Sequence, residues 1–105
     1  MNARAPSLIP VLVRFPGGAA RQDAWGRLLS LTAGGATLST AAPLEKAEAL
    51  TLSFELGGET FRGVPARVSH VEPDVDGQTL AELRFTDELE RRRLSTVLLD
   101  VLSRS

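Results

Sequence analysis

The sequence predicts a mainly β domain, a six-stranded antiparallel barrel with a C-terminal helix. Apolar and polar residues alternate in several short runs, which is the two-residue period of half-buried strands. Turn-forming pairs such as Gly57-Gly58 separate these runs. After Thr86 the apolar period changes to that of a helix. A flat sheet of such strands would leave its edges unpaired, so closure into a barrel is favoured.

The first half of the chain contains three short strands. Residues 1–7 are small and polar and are predicted to be a flexible lead-in to one domain over residues 8–105. The strands are rich in β-branched or large apolar residues and end at proline or glycine. They are predicted at 8–15, 25–31 and 36–40, with turns at Pro16-Gly17-Gly18 and Ala33-Gly34-Gly35.

The second half begins with a hairpin. The run 50–56 alternates strictly, and Gly57-Gly58 supplies two residues that tolerate the positive φ of a tight turn. The returning strand is predicted at 59–71, with an edge or a bulge at Pro65, which lacks a ladder donor. After a turn at 74–77, a sixth strand is predicted to face inward at alternate positions. Its inward residues are Ala81, Leu83 and Phe85.

The last element is predicted to be a helix over residues 87–103. Asp87 can cap its start, and Glu90 completes the capping-box spacing. An apolar stripe follows at helical spacing and is predicted to pack on the barrel. The stripe consists of Leu94, Val97, Leu98, Val101 and Leu102.

Composition excludes several classes of protein. The 105 residues are 43% hydrophobic and 24% charged, which is ordinary for one globular domain. No cysteine is present, so disulfides and thiolate metal sites are excluded. The net charge of −1 and the few aromatic residues argue against nucleic acid as a partner. No apolar run is long enough to span a membrane and no signal peptide is recognised, so we expect a cytoplasmic protein without membrane contact.

Residues suited to catalysis are sparse, so no enzymatic activity and no metal site are predicted. His70 is the only histidine and lies inside a predicted strand, where its ring tip is expected at the surface. Asp74 and Asp76 fall in a turn, where aspartate commonly bonds the local backbone. The doubled glycines are not followed by a helix, so they are interpreted as turns rather than phosphate-binding loops.

The segment from Gly26 to Leu38 reads Gly-Arg-Leu-Leu-Ser-Leu-Thr-Ala-Gly-Gly-Ala-Thr-Leu, and it resembles the second and third strands of a PilZ domain. The resemblance continues through the 50–56 hairpin, the long strand and Leu83-Arg84-Phe85-Thr86-Asp87 before the helix. It implies a six-stranded barrel that receives cyclic di-GMP (c-di-GMP). In the family the ligand is bound by Arg-x-x-x-Arg ahead of the first strand and by Asp/Asn-x-Ser-x-x-Gly after the second.

This chain matches those two motifs only in part. Arg4 takes the first arginine position, and Leu8 stands where the second arginine is expected. Ser30 replaces the acidic or amide residue, Thr32 replaces the serine, and Gly35 is kept. The degenerate ligand-binding set is therefore Arg4, Ser30, Thr32 and Gly35.

Three hypotheses follow. The favoured one is a PilZ-like regulatory adaptor that contacts proteins of unknown identity, needs no cofactor and binds c-di-GMP weakly or not at all. Its interaction surface is predicted on the helix around Arg91, Arg92 and Arg93, and its oligomeric state is open. The second is a c-di-GMP receptor with a rearranged set of residues: Arg4, Arg14, Ser30, Thr32 and Arg67. The third is a small barrel of another family.

Overall fold

The computed structural model describes residues 8–17 and 21–103. The predicted lead-in, Arg4 and Gly18 lie outside these residues. The strands are β1 (Ile9–Arg14), β2 (Ala24–Leu31), β3 (Gly35–Thr40), β4 (Ala49–Leu56), β5 (Glu59–Pro73) and β6 (Thr79–Phe85). A 3-10 turn, Val75–Gly77, joins β5 to β6, and the helix α1 (Glu88–Ser103) follows β6. The bounds predicted for the helix and the first five strands differ from these by at most two residues.

The six strands form one closed barrel in the order β1-β2-β3-β6-β5-β4, and every neighbouring pair is antiparallel. Closure is made by β1 and β4, which pair from Leu12 opposite Ser53 to Arg14 opposite Thr51. The predicted fold class is confirmed. Pairing of β3 with β6 places the turn after β2 beside the start of α1.

The core fills the barrel with the residues that alternation predicts to face inward. On β4, β5 and β6 these side chains are all buried: Leu50, Leu52, Phe54, Leu56, Val64, Ala66, Val68, Ala81, Leu83 and Phe85. A register shift between Leu28 and Ser30 lets both Leu28 and Leu31 point inward, although they are three positions apart. The barrel interior is therefore a packed apolar core rather than a ligand cavity.

Pro65 lies in the middle of β5, close to an irregularity of the kind expected. The register shifts opposite Ser53, where Arg62 and Gly63 form a bulge, and Gly63 has a φ of 63°. The carbonyl of Pro65 accepts a hydrogen bond from the Thr86 N–H at 3.1 Å. Since β6 ends at Phe85, the side of Pro65 that lacks a donor faces the end of that strand, where the cost of the missing bond is small.

The helix α1 packs its apolar stripe on one end of the barrel. Leu94, Val97 and Leu98 are buried, and an added Cβ at Gly57 would lie 2.7 Å from Val101. The helix thus reaches from the β2–β3 turn to the β4–β5 turn. The Glu90 side chain does not complete a capping box, because its Oε2 is buried without a hydrogen-bond partner and lies 3.7 Å from Arg93 Nη1.

Candidate functional site

The β2–β3 turn carries two of the candidate ligand-binding residues, Thr32 and Gly35. The hydroxyl of Thr32 is already hydrogen-bonded to the backbone of the turn. Thr32 Oγ1 accepts hydrogen bonds from the N–H groups of Gly34 and Gly35, at 3.3 and 3.2 Å. The Thr32 N–H donates in turn to the Gly35 carbonyl at 2.9 Å. Hydroxyls of this kind commonly stabilise turns. The Thr32 hydroxyl closes the turn, although the residue remains exposed.

Gly35 is required by its contact with β6. A Cβ added at this position would lie 2.1 Å from the Leu83 carbonyl oxygen, far inside van der Waals contact. The neighbouring Gly34 carbonyl accepts from the Phe85 N–H at 3.0 Å, so a hydrogen bond holds the end of β6 against the turn. The close approach explains the glycine through folding alone.

Ser30 is also engaged within the sheet. It lies opposite Thr37 on β3, and its Oγ donates to Thr37 Oγ1 at 2.9 Å. A hydroxyl pair across neighbouring strands is an ordinary stabilising contact. The position at which the motif calls for a carboxylate or an amide therefore presents a hydroxyl that already has a partner.

The arginines of the predicted helix surface separate from one another. Arg92 pairs with Glu88 at 3.2 Å, one turn earlier. Arg93 lies with its guanidinium carbon 4.2 Å from the centre of the Phe61 ring and donates to the Thr60 carbonyl at 2.8 Å. Arg91 approaches the β2–β3 turn, where its Nη2 is 4.0 Å from the Cβ position of Gly34. The three side chains thus contact three different parts of the structure.

The comparisons with known proteins decide the family. Protein-family models match residues 1–100 to the PilZ domain. The chain belongs to the PilZ domain family. PilZ domains form a regulatory, c-di-GMP-binding family. No curated protein matches the sequence.

Solved PilZ structures share the fold. MrkH from K. pneumonia is 16% identical with a TM-score of 0.77; the match covers 99% of this chain and 48% of MrkH, so the chain spans about half of that protein. The PilZ domain of YcgR from Escherichia coli, solved with c-di-GMP, is 17% identical with a TM-score of 0.73, covering 96% of this chain and 88% of that one. The PilZ domain of CeSA from a cellulose-synthesizing bacterium is 25% identical with a TM-score of 0.62, covering 95% and 97%.

The PilZ motif positions can now be located. Ser30, Thr32 and Gly35 come together at the β2–β3 turn, as the resemblance implies, while Arg4 lies outside the described residues. Leu8, at the second arginine position, is 49% exposed. The structure therefore places an apolar side chain at the surface where the family uses a cation.

The rearranged set of arginines is not brought to the PilZ turn as a whole. Arg14 pairs with Asp23 at 3.0 Å, just beyond the Val13–Ala24 end of the β1–β2 ladder. Ala24 and Ser30 lie at opposite ends of β2, which corresponds to roughly 20 Å along the strand. Arg67 is nearer, because β5 pairs with β6 beside the turn.

Arg84 on β6 is a residue that sequence reasoning missed as a site candidate. It lies opposite Gly35 on one side and opposite Arg67 on the other, and both arginines are exposed. Alternation does predict that Arg84 faces outward. Its position next to the PilZ turn depends on the pairing of β3 with β6, which are not consecutive in the chain.

A second surface lies on the outer side of β1 and β4. The pairing of these strands stops at Leu12 and Ser53, and the groove beyond has a volume of about 800 Å³. Its lining includes Pro10, Leu12, Trp25 and Arg62, and Trp25 is 71% exposed. An exposed tryptophan in an apolar groove is a common feature of protein-binding surfaces.

In residues 8–17 and 21–103, neither a metal-ligating cluster nor a membrane-spanning helix is found. No group of three or more His, Asp or Glu side chains there is arranged to hold a metal ion. His70 is exposed, as expected, and its Nε2 lies 3.4 Å from Glu72 Oε2. Within the same residues, no helix is long and apolar enough to cross a membrane.

Proposed function

We propose that this PilZ domain is a non-enzymatic regulatory adaptor that acts through protein–protein contacts and binds c-di-GMP weakly or not at all. The family resemblance implies bacterial motility or cell-surface regulation as its output, and we expect it to act in the cytoplasm without a cofactor. One observation carries the proposal: the residue at each of the three motif positions of the β2–β3 turn, Ser30, Thr32 and Gly35, already has a structural role.

The engaged residues account for the weak binding. Ser30 bonds Thr37, Thr32 closes the turn, and Gly35 admits the Leu83 carbonyl. A charge-assisted hydrogen bond contributes about 1.5–3 kcal/mol and a neutral one about 1 kcal/mol. Without the second arginine and the guanine acceptor, we expect a loss of roughly 3–4 kcal/mol. Since each 1.4 kcal/mol is about tenfold in affinity, a micromolar site would become a millimolar one.

The alternative of a c-di-GMP receptor with a rearranged arginine set has less support. Arg14 is separated from Ser30 by the length of β2 and is paired with Asp23. The structure describes two arginines of that set, Arg14 and Arg67. Of these two, Arg67 is the one on a strand near the turn. Within that set, one cation near the turn does not reproduce the two arginines that bind the phosphates in the family; Arg84 and Arg91, which also approach the turn, stand at neither arginine position of the motif.

Isothermal titration with c-di-GMP tests this proposal. We expect the wild-type chain to show no binding tighter than about 100 μM. Restoring the family pattern with Leu8→Arg and Ser30→Asp should raise the affinity by roughly a hundredfold to a thousandfold, which is the estimated loss reversed. Leu8→Gln with Ser30→Asp is the matched control, because it adds a polar side chain without the cation.

Two results would count against the proposal in different ways. Low-micromolar, saturable binding by the wild-type chain would overturn the adaptor function in favour of a receptor. A wild-type chain that does not bind, together with a restored variant that gains no more than the control, would show that the missing side chains are not the cause.

A further inference from the structure

Two arginines face each other directly on the outer surface of the barrel. Arg67 on β5 and Arg84 on β6 are cross-strand partners in the antiparallel register, and both side chains are exposed. Side chains in such pairs have Cβ atoms about 4.5–5.5 Å apart, and like charges at this distance are destabilising. The pair therefore imposes a cost on the fold that opposite charges at the same positions would remove.

Arg91 extends this pair to the β2–β3 turn. Its Nη2 approaches Gly34, the residue before Gly35, and Gly35 is the partner of Arg84 on β3. We name Arg67, Arg84 and Arg91 the arginine patch. It combines one side chain from β5, one from β6 and one from the beginning of α1. None of the three residues belongs to the family motif.

The arginine patch lacks carboxylate partners among the described residues. Arg84 and Arg91 form no ion pair or side-chain hydrogen bond there, and Arg67 donates only to the Ala47 carbonyl, at 2.8 Å. Glu82, two residues before Arg84 on the same strand, forms no ion pair with it. Guanidinium groups that remain unpaired offer planar donor pairs suited to carboxylates.

The shape of the surface favours a macromolecular partner over a small ligand. Small molecules bind in concave sites that enclose most of their surface. Cavities of about 800, 400 and 240 Å³ lie on the described part of the chain, and none of them is lined by a member of the arginine patch. The patch lies on the open face of a sheet beside a turn, where a chain segment can be laid down.

We propose that the arginine patch docks an acidic segment of a partner protein. The inference rests on the proposed adaptor function and names the surface that carries it. Charge complementarity identifies the occupant: aspartate or glutamate side chains would supply the carboxylates that the three cations lack among the described residues. Nucleic acid is the poorer match, because the phenylalanines of the described residues are buried and Trp25 is their one exposed aromatic side chain, whereas single strands stack on a row of such rings.

Fluorescence anisotropy with a labelled hexaglutamate peptide at low salt tests the docking. We expect binding to the full chain, and a loss of roughly tenfold or more when Arg67→Glu and Arg84→Glu are combined. Arg84→Glu alone should already weaken binding, and its matched control is Arg27→Glu, which makes the same change of net charge at an exposed arginine outside the patch that also forms no ion pair among the described residues. The control should change the affinity by no more than about twofold.

Several results would overturn the inference. They are no hexaglutamate binding by the wild-type chain, an equal loss in the patch and control variants, or tighter patch-dependent binding of a single-stranded oligonucleotide. Titration of c-di-GMP separates this inference from the proposed function. Tight c-di-GMP binding that survives patch reversal overturns the adaptor function alone, whereas tight binding lost on reversal overturns both.

Thermal unfolding of Arg84→Glu provides a second measurement that needs no ligand. The substitution turns the opposed cations into a cross-strand ion pair, so the melting temperature should rise by roughly 2–5 °C at low salt. The rise should shrink in about 1 M salt, where charges are screened within roughly 3 Å. A variant that loses peptide binding while gaining stability fits a surface retained for recognition. An unchanged or lowered melting temperature would show that Arg67 and Arg84 do not destabilise the fold by repulsion, and the inference would lose that support.

Discussion

Replacing Gly35 with alanine should lower the free energy of unfolding by about 3 kcal/mol. The added Cβ would lie 2.1 Å from the Leu83 carbonyl oxygen and 3.2 Å from its carbon. Both are backbone atoms of β6, and the pairing of Ala36 with Leu83 holds them in place. The clash can be relieved only by moving β3 away from β6, which breaks the ladder that closes this side of the barrel. Urea unfolding of the two proteins measures the difference.

Gly34→Ala is the matched control for this prediction. The two glycines are adjacent in the same turn, but a Cβ at Gly34 finds only Arg91 and Thr32 side-chain atoms at 4.0 Å. We expect a change of less than about 0.5 kcal/mol there. Equal effects at the two positions would contradict a clash with β6 as the cause. The contrast would also show that the motif glycine is retained for folding, whether or not a ligand binds.

Much of the fold could be predicted because it depends on local patterns. The alternation of Leu50, Leu52, Phe54 and Leu56 marks both the strand and its buried face, and the structure buries all four. The turn after Leu56 was predictable as well, since Gly57 and Gly58 take φ values of 59° and 82°. Such patterns state which face of an element is apolar, and burial of that face follows.

The candidate site was harder to predict, because it depends on contacts between distant segments. The motif residues after β2 are adjacent in the chain, so their convergence at one turn could be anticipated. Arg84 and Arg67 become neighbours of that turn only through the order β3-β6-β5. No sequence period encodes which strands lie side by side when they are not consecutive. The arginine patch therefore could not be predicted without the strand order of the barrel.

The helix arginines show a different limit. Arg91, Arg92 and Arg93 are consecutive, and consecutive residues on an α-helix point in directions about 100° apart. Their side chains therefore point in different directions, and each has its own surroundings in the structure. Charge reversal at Arg93 would also remove its contact with Phe61, so this residue cannot report on partner binding alone.

Phe61→Ala should be the most destabilising substitution considered for the core, lowering the free energy of unfolding by about 3–5 kcal/mol. The ring is completely buried and stacks on Phe54, with centroids 5.2 Å apart. The guanidinium of Arg93 lies over the same ring and donates to the Thr60 carbonyl, so Phe61 connects the barrel to α1. Alanine would leave a cavity and remove the aromatic and cation–π contacts together.

Trp25→Ala is the comparison that gives this prediction its meaning. It removes a larger aromatic side chain, but one that is 71% exposed on the outer face of β2. We expect a cost below about 0.5 kcal/mol in the same urea unfolding measurement. A small domain is stable by only about 5–15 kcal/mol, so loss of Phe61 removes a large part of the total. Similar losses for the two variants would contradict the expectation that the barrel interior and the α1 contact contribute most of the stability. The outer face of β1 and β2 would then also have to stabilise the fold.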